Sequence, residues 1–239
     1  MRILIFQTKE KAMDFVVEFL IKEITRKPEI VLGLASGHTF IPIYRILKSK
    51  VRRNKINLGK IKTFNLDEYL KVGYKESFRY FMDKKFFIPL KMKKEQIHFL
   101  QSNPKNVKAH CNNYEKEILE AGRIDIQLLG IGRDGHIGFN EPGSIIKSRT
   151  RRIKLNEITV KDNNAPSRWA LTMGIDTILK AKKIVLIATG RRKAGIMKRF
   201  FDNKISPELP ATLLKKRKDL IVVLDKDAAS KLRIRKTFK

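Results

Sequence analysis

The amino-acid sequence predicts an α/β fold, a doubly wound and mostly parallel sheet flanked by helices in the Rossmann-like manner, and three observations carry that expectation. Short apolar runs alternate with longer amphipathic stretches, the pattern of strands joined by crossover helices. Polar segments containing glycine follow several of the apolar runs, where the strand ends of an open α/β sheet would lie. No internal repeat or flexible linker interrupts the 239 residues, a length that one large α/β domain can fill. Residues 1–239 are therefore read as a single domain.

The first strand is Arg2–Phe6, whose apolar run ends at Gln7-Thr-Lys-Glu10. Lys9–Thr25 is expected to be a helix because Ala12, Phe15, Val16, Phe19 and Leu20 share one helical face. Glu29–Leu34 supplies the second strand and Phe40–Lys48 the helix after it. Lys62–Asn65 is a short third strand. Glu76–Phe87 and Val107–Glu120 are amphipathic and read as helices, and the apolar runs Asp125–Gly130 and Ile184–Ala188 read as strands. Lys193–Phe201 reads as a helix, and Leu220–Leu224 closes the series as the last strand.

Lys and Arg number 53 against 24 Asp and Glu, a formal charge of +29. So basic a chain attracts phosphate-bearing polymers and anionic surfaces over long range. The cations, however, are spread along nearly the whole sequence, and no RNA-binding aromatic motif, zinc finger or basic zipper accompanies them. The compact run Lys215-Lys-Arg-Lys218 precedes a strand and reads as a solvated turn, and a basic tail runs from Lys231 to Lys239. Nucleic acid is not the expected partner. Hydrophobic residues at 42% with only 13 Gly and 8 Pro exclude collagen-like and low-complexity classes. The single cysteine, Cys111, cannot close an internal disulfide, and no Cys/His framework offers a structural zinc site. An intracellular, cytoplasmic setting is expected. The N-terminal apolar run is too short for a signal peptide, and no window approaches the roughly 18 apolar residues of a membrane span.

Four polar segments follow apolar strands: Ala35-Ser-Gly-His-Thr39, Leu66-Asp-Glu68, Ile131-Gly-Arg-Asp-Gly-His136 and Thr189-Gly-Arg-Arg-Lys193. In an open α/β sheet such segments converge on one cleft. Ser36, Gly37, His38 and Thr39 offer hydroxyls, backbone N–H groups and a helix N-terminus that suit a phosphate; a strand-to-helix turn also takes Gly and a hydroxyl cap for structural reasons alone. Lys193 either adds an ammonium to the same anion or is an ordinary surface lysine. Asp134 and Glu141 lie close to His136 in a glycine-permissive turn, where a carboxylate can orient an imidazole and tune it for proton transfer. The competing reading is a turn-capping Asp and a satisfied core histidine. Asp67, at a different strand end, could face that group across the cleft and shuttle a proton between adjacent substrate carbons.

Thr63-Phe-Asn-Leu-Asp-Glu-Tyr69, Ser77-Phe-Arg-Tyr-Phe-Met82, Gly130-Ile-Gly-Arg-Asp-Gly-His-Ile-Gly-Phe-Asn-Glu-Pro-Gly143, Ser148-Arg-Thr-Arg151 and Ala170-Leu-Thr-Met-Gly174 resemble the glucosamine-6-phosphate deaminase (isomerase) family. The likeness runs from about Val31 to Ala228. It implies an enzyme that converts an amino-sugar 6-phosphate and water into fructose 6-phosphate and ammonia, with no cofactor and no metal. By the same resemblance Asp67 is the base moving a proton between C2 and C1, and His136 assists opening of the pyranose ring, oriented by Asp134 and Glu141. Ser36, Gly37, Thr39 and Lys193 hold the 6-phosphate.

The sequence departs from the family in two places. The phosphate turn usually reads Thr-Gly-Ser/Gly-Thr-Pro, whereas here His38 and Phe40 flank Thr39, so the His38 imidazole is a further candidate donor to the phosphate. The stretch between Ile158 and Trp169 is short and lacks the Asn-Ser-Arg segment from which an arginine reaches the phosphate, which makes Arg168 the expected substitute. The resemblance leaves a homo-oligomer open. Its sibling readings are a 6-phosphogluconolactonase, which shares the fold and the Gly-x-Asp-Gly-His core, and a deaminase of galactosamine 6-phosphate. A degenerate member that binds polyanions is the non-enzymatic reading, and the intact Asp67, Asp134, His136 and Glu141 count against it.

Overall fold

The computed structural model describes residues 1–233; residues 234–239 of the basic tail lie outside the described residues. Ten strands are formed: β1 (Arg2–Phe6), β2 (Val31–Leu34), β3 (Lys62–Asn65), β4 (Asp67–Tyr69), β5 (Ile97–His98), β6 (Ile126–Leu129), β7 (Arg151–Lys154), β8 (Trp169–Thr172), β9 (Lys183–Ala188) and β10 (Leu220–Asp225). The helices are α1 (Lys9–Arg26), α2 (Phe40–Arg53), α3 (Phe78–Met82), α4 (Val107–Glu120), α5 (Glu157–Asn163), α6 (Ile175–Leu179) and α7 (Ala194–Asp202). Every strand and helix the sequence predicts is present, with ends moved by a few residues except in the segment before Phe87, described below.

Seven strands make one sheet in the order β1-β10-β9-β6-β2-β3-β5, and each neighbouring pair is parallel. All four residues of β2 and all four of β6 are buried, as expected of central strands covered by helices on both faces. α1 earns its place by burying Ala12, Val16, Leu20 and Ile24, four positions spaced by one turn each. The Thr8 side chain accepts from the Lys11 N–H and starts it.

From β1 through β2 and β3 to β5 the chain steps across the sheet in one direction, and from β6 through β9 to β10 it steps in the other. Right-handed crossovers put the helices of the two series on opposite faces, and α1 and α2 of the first series pack on each other. The reversal falls between β2 and β6. Their carboxyl ends, which are followed by residues 35–39 and 130–136, therefore splay apart into a crevice.

Two buried tyrosines hold the ends of β2 and β3. The Tyr44 hydroxyl, from α2, donates to the Ala35 carbonyl at 2.7 Å, and the Tyr114 hydroxyl, from α4, donates to the Asn65 carbonyl at 2.7 Å. One residue beyond Asn65 the chain changes sheets. Leu66 donates its N–H to Leu34 at 2.8 Å and accepts at its carbonyl from Met173 at 2.8 Å. Asp67 then pairs with Thr172 in a second, antiparallel sheet of order β4-β8-β7.

The sequence does not announce this second sheet, because Asp67-Glu-Tyr69 and Arg151-Arg-Ile-Lys154 contain no apolar run. The single helix expected over Glu76–Phe87 is broken into a 3-10 turn at Tyr74–Glu76, α3, and a π-turn at Asp83–Phe87. Ser77 is the cause of the first break: its hydroxyl donates to the Tyr74 carbonyl and accepts from the Tyr80 N–H, ending one turn and starting the next. The basic run near Lys215 is more than a solvated turn. Lys215 donates to the Phe201 and Asn203 carbonyls, and Arg217 donates to the carbonyls of Leu179 and Ala181 at the end of α6. Among the described residues no helix is long and apolar enough to cross a membrane.

Replacing Tyr114 with Phe leaves the buried Asn65 carbonyl without its hydroxyl donor, so we expect a stability loss of about 1–3 kcal/mol. Urea unfolding checks it, and an unchanged midpoint would mean the strand end is held by packing alone.

Candidate active site

The crevice between β2 and β6 is a cleft of about 1280 Å³. Ser36, Gly37, His38, Thr39, Asp67, His136 and Lys193 all line it, so the segments expected to converge do so. At its β2 wall, Gly37 has φ +105° and turns the chain into α2, the Phe40 N–H closing the turn onto the Gly37 carbonyl at 3.0 Å. Thr39 precedes α2 and makes no side-chain cap hydrogen bond. Its hydroxyl and the helix N-terminus are therefore available to an anion. Ser36 is fixed by Asn65, whose side-chain amide donates to the Ser36 hydroxyl at 3.4 Å.

On the β6 wall the chain folds back tightly: Gly132 donates to the His136 carbonyl at 3.0 Å, and Gly135 donates to the Gly132 carbonyl at 3.1 Å. The His136 ring lies against Gly132, where a Cβ would sit 2.2 Å from the ring. Only glycine admits that approach. Asp134 grips the histidine twice, its Oδ1 lying 2.7 Å from the ring Nδ1 and accepting from the His136 backbone N–H at 3.1 Å. Burial opposes ionisation of Asp134, but the His136 ring, the His136 N–H and the Asn156 amide overcome it and draw the carboxyl down to about 2. The ring's Nε2 has no hydrogen-bond partner among the described residues.

Asp67 is the opposite case. It is 6% exposed, and its Oδ1 is buried with no hydrogen-bond partner among the described residues. Burial first, and the neighbouring Glu68 charge second, push its carboxyl up to about 8. Glu68 points elsewhere, accepting from the backbone N–H groups of Tyr69, Phe78 and Arg79 at 2.7, 2.9 and 2.9 Å. It thereby ties the start of α3 to the strand that carries Asp67.

Lys193 sits in a 3-10 turn at the end of β9, where its ammonium donates to the Ile131 carbonyl at 2.5 Å and burial lowers its pKa. It is not an ordinary surface lysine. Two expectations need correction. Arg168 does not line the cleft; it is exposed and forms an ion pair with Glu157 on the neighbouring helix. Glu141 does not touch His136 either. Its carboxylate accepts from the Asn156 backbone N–H at 2.9 and 3.1 Å, and the Asn156 side chain reaches Asp134 at 3.4 Å, so two residues stand between Glu141 and the histidine.

Several lining residues went unrecognised in the sequence. Arg133 and Asp162 face each other as a bidentate ion pair on the cleft wall, and Lys75, Lys84 and Lys85 also line the cleft. In so basic a chain no pattern marks these cations out. Asn156 caps α5 by accepting from the Thr159 N–H at 2.7 Å, and the Thr159 hydroxyl lies 3.5 Å from the His136 ring. The cue for Asn156 was its place at the head of a short polar helix.

An anion cradle together with separately tuned acid and base groups in one cleft defines an acid-base enzyme for a small anionic substrate. The comparisons agree. The profile of glucosamine-6-phosphate isomerases/6-phosphogluconolactonase matches residues 7–223. The glucosamine-6-phosphate deaminase of Thermoanaerobacter sp. (strain X514) is 38% identical over 239 residues, spanning 96% of this chain and 94% of that protein. A solved monomeric glucosamine-6-phosphate deaminase superposes with a TM-score of 0.93 at 37% identity, over 97% of this chain and 100% of its own. The 6-phosphogluconolactonase from Trypanosoma cruzi shares the fold, with a TM-score of 0.78 at 18% identity over 98% of this chain and 97% of its own. This chain belongs to the glucosamine-6-phosphate isomerase/6-phosphogluconolactonase family.

Asp67 also makes a stability prediction. Its folded pKa of about 8 lies above the ordinary 3.8, so the benefit of the neutral acid is complete below the unfolded value and is lost as pH rises toward the folded one. Asp67→Asn stays neutral throughout. The native protein should lose more stability than this variant between about pH 5 and pH 8, by up to about 1.4 kcal/mol per pH unit. Parallel pH profiles in urea would show that Asp67 ionises normally.

Proposed function

We propose that the chain is a glucosamine-6-phosphate deaminase, which isomerises the amino aldose phosphate and releases ammonia to give fructose 6-phosphate. The observation that carries this is Asp67: a buried carboxylate with an unpartnered oxygen, lining the same cleft as the His136–Asp134 pair and the Ser36–Thr39 turn. Ser36, Gly37, Thr39 and Lys193 take the 6-phosphate, with His38 at the rim of the same turn. His136 relays a proton between the anomeric hydroxyl and the ring oxygen as the pyranose opens, held in register by Asp134 and, through Asn156, by Glu141.

Asp67 then removes the proton from C2 of the open chain and returns it to C1. The resulting C2 iminium adds water, and the carbinolamine expels ammonia to leave the ketone. Such a base works best when its pKa lies near the working pH. The ammonium of an amino sugar beside Asp67 favours the carboxylate form and offsets the rise that burial imposes. Hydrolysis of a sugar-phosphate lactone would need one base to activate water and no transfer of a proton from carbon to carbon. A buried carboxylate with an oxygen that no donor among the described residues reaches is the tool of the isomerisation.

The similar solved deaminase is described as monomeric, and a single subunit suffices in this proposal. A phosphorylated sugar as substrate places the work in the cytoplasm.

The test is release of ammonia and fructose 6-phosphate from glucosamine 6-phosphate, run beside galactosamine 6-phosphate and 6-phosphogluconolactone. Equimolar ammonia and ketose are expected from the first. Asp67→Asn should lower kcat by roughly a hundredfold or more while leaving the affinity for inorganic phosphate unchanged. Lactone hydrolysis with no ammonia from either amino sugar would overturn the proposal.

A further inference from the structure

With Arg168 turned to the surface, the cleft still presents two guanidinium groups, Arg133 and Arg192. Arg133 is already engaged in the geometry that guanidinium uses for an oxyanion. Its Nε donates to Asp162 Oδ2 at 2.7 Å and its Nη2 to Asp162 Oδ1 at 2.5 Å, a two-point grip that a phosphate matches equally well. The pair sits beside Lys193: all three residues line the cleft, and the charges of both Asp162 and Arg133 act on the Lys193 ammonium.

Asp162 is also poorly placed for the helix that carries it. It occupies the last turn of α5, which ends at Asn163, where the helix dipole disfavours a negative charge. Its partner Arg133 keeps 64% of its side chain exposed, so the pair is a solvent-screened one. Exposed pairs contribute little and exchange easily.

We infer that Arg133 is a phosphate-binding residue of the deaminase, and that Asp162 is an internal competitor which the substrate phosphate displaces from it. This rests on the functional reading above. The exchange has a structural consequence, because α5 contacts the 133–136 loop at several points along its length. Asp162 stands at its C-terminal end, while Asn156 and Thr159 at its N-terminal end reach Asp134 and His136. Arg133 itself lies in the loop closed between Gly132 and His136. Phosphate binding is thereby felt by the group that opens the sugar ring.

The experiment is calorimetric titration of the whole protein with inorganic phosphate, alongside KM for glucosamine 6-phosphate. Arg133→Gln should weaken phosphate binding and raise KM by roughly tenfold or more. Asp162→Asn should tighten phosphate by about two- to fivefold, and that gain should vanish in the Arg133→Gln background. Unchanged phosphate affinity in Arg133→Gln, or a loss confined to Arg192→Gln, would overturn the assignment. A gain from Asp162→Asn that persists without Arg133 would also overturn it, because Asp162 would then act on Lys193 alone. The titration needs no turnover, so a protein that releases no ammonia would sink the deaminase reading and still leave the Arg133 result to be read on its own.

Discussion

Leu66 donates its backbone N–H into the parallel sheet at Leu34 and gives its carbonyl to Met173 beside the antiparallel sheet, both at 2.8 Å. Both hydrogen bonds of this one residue are thus spent on joining two sheets, and the next residue is Asp67. Its backbone is fixed by pairing with Thr172 and its side chain is closed off from water, being only 6% exposed. A carboxylate on a free loop would hydrate and return to its ordinary acidity. The raised pKa of Asp67 follows from the junction. The same Thr172 hydroxyl accepts from the Phe139 N–H at 3.1 Å, so the strand that positions Asp67 also anchors the segment following His136.

The charge balance of the chain acquires a meaning once the carboxylates are placed. Asp125 serves Lys27, Lys182 and the Val31 N–H, and Glu115 serves Arg149, Thr150 and Thr177. Scarce acids act as internal staples, each joining segments far apart in sequence. Several cations line the cleft, Lys75, Lys84, Lys85, Arg192 and Lys193 among them. A dianionic substrate is drawn by such a field before any specific contact forms.

The parallel sheet was legible because buried strands must be apolar on both faces, and β2, β6, β9 and β10 show it plainly. Asp67, His136 and Asp134 were legible because each stands in a short polar segment at the end of such a strand. The second sheet was hidden, since β4 and β7 are made of polar and charged residues whose pairing is decided by what lies around them. Arg168 was misplaced for a related reason: an arginine's reach leaves its direction to its partner, and Glu157 claims it. Glu141 stood at the right distance along the chain to meet His136, yet the head of α5 intervenes and takes its carboxylate. Sequence spacing places backbones, and the competition among neighbouring donors decides where long side chains go.

Asp67 lines the cleft and Asp134 grips the cleft-lining His136, and their surroundings drive the two carboxyls to about 8 and about 2. Burial opposes the charge at both positions. At Asp134 it is overcome by a histidine ring, a backbone N–H and an amide, whereas at Asp67 the neighbouring Glu68 charge adds to it. The consequence is a division of labour. Asp134 is held toward its charged form beside the His136 ring, while Asp67 is biased toward its neutral form. A carboxylate can lend a proton and recover it only if neither state is a deep energy well. Among the described residues Asp134 is met by the His136 ring, the His136 N–H and the Asn156 amide, and Asp67 Oδ1 is met by no donor, which is why the two acidities part.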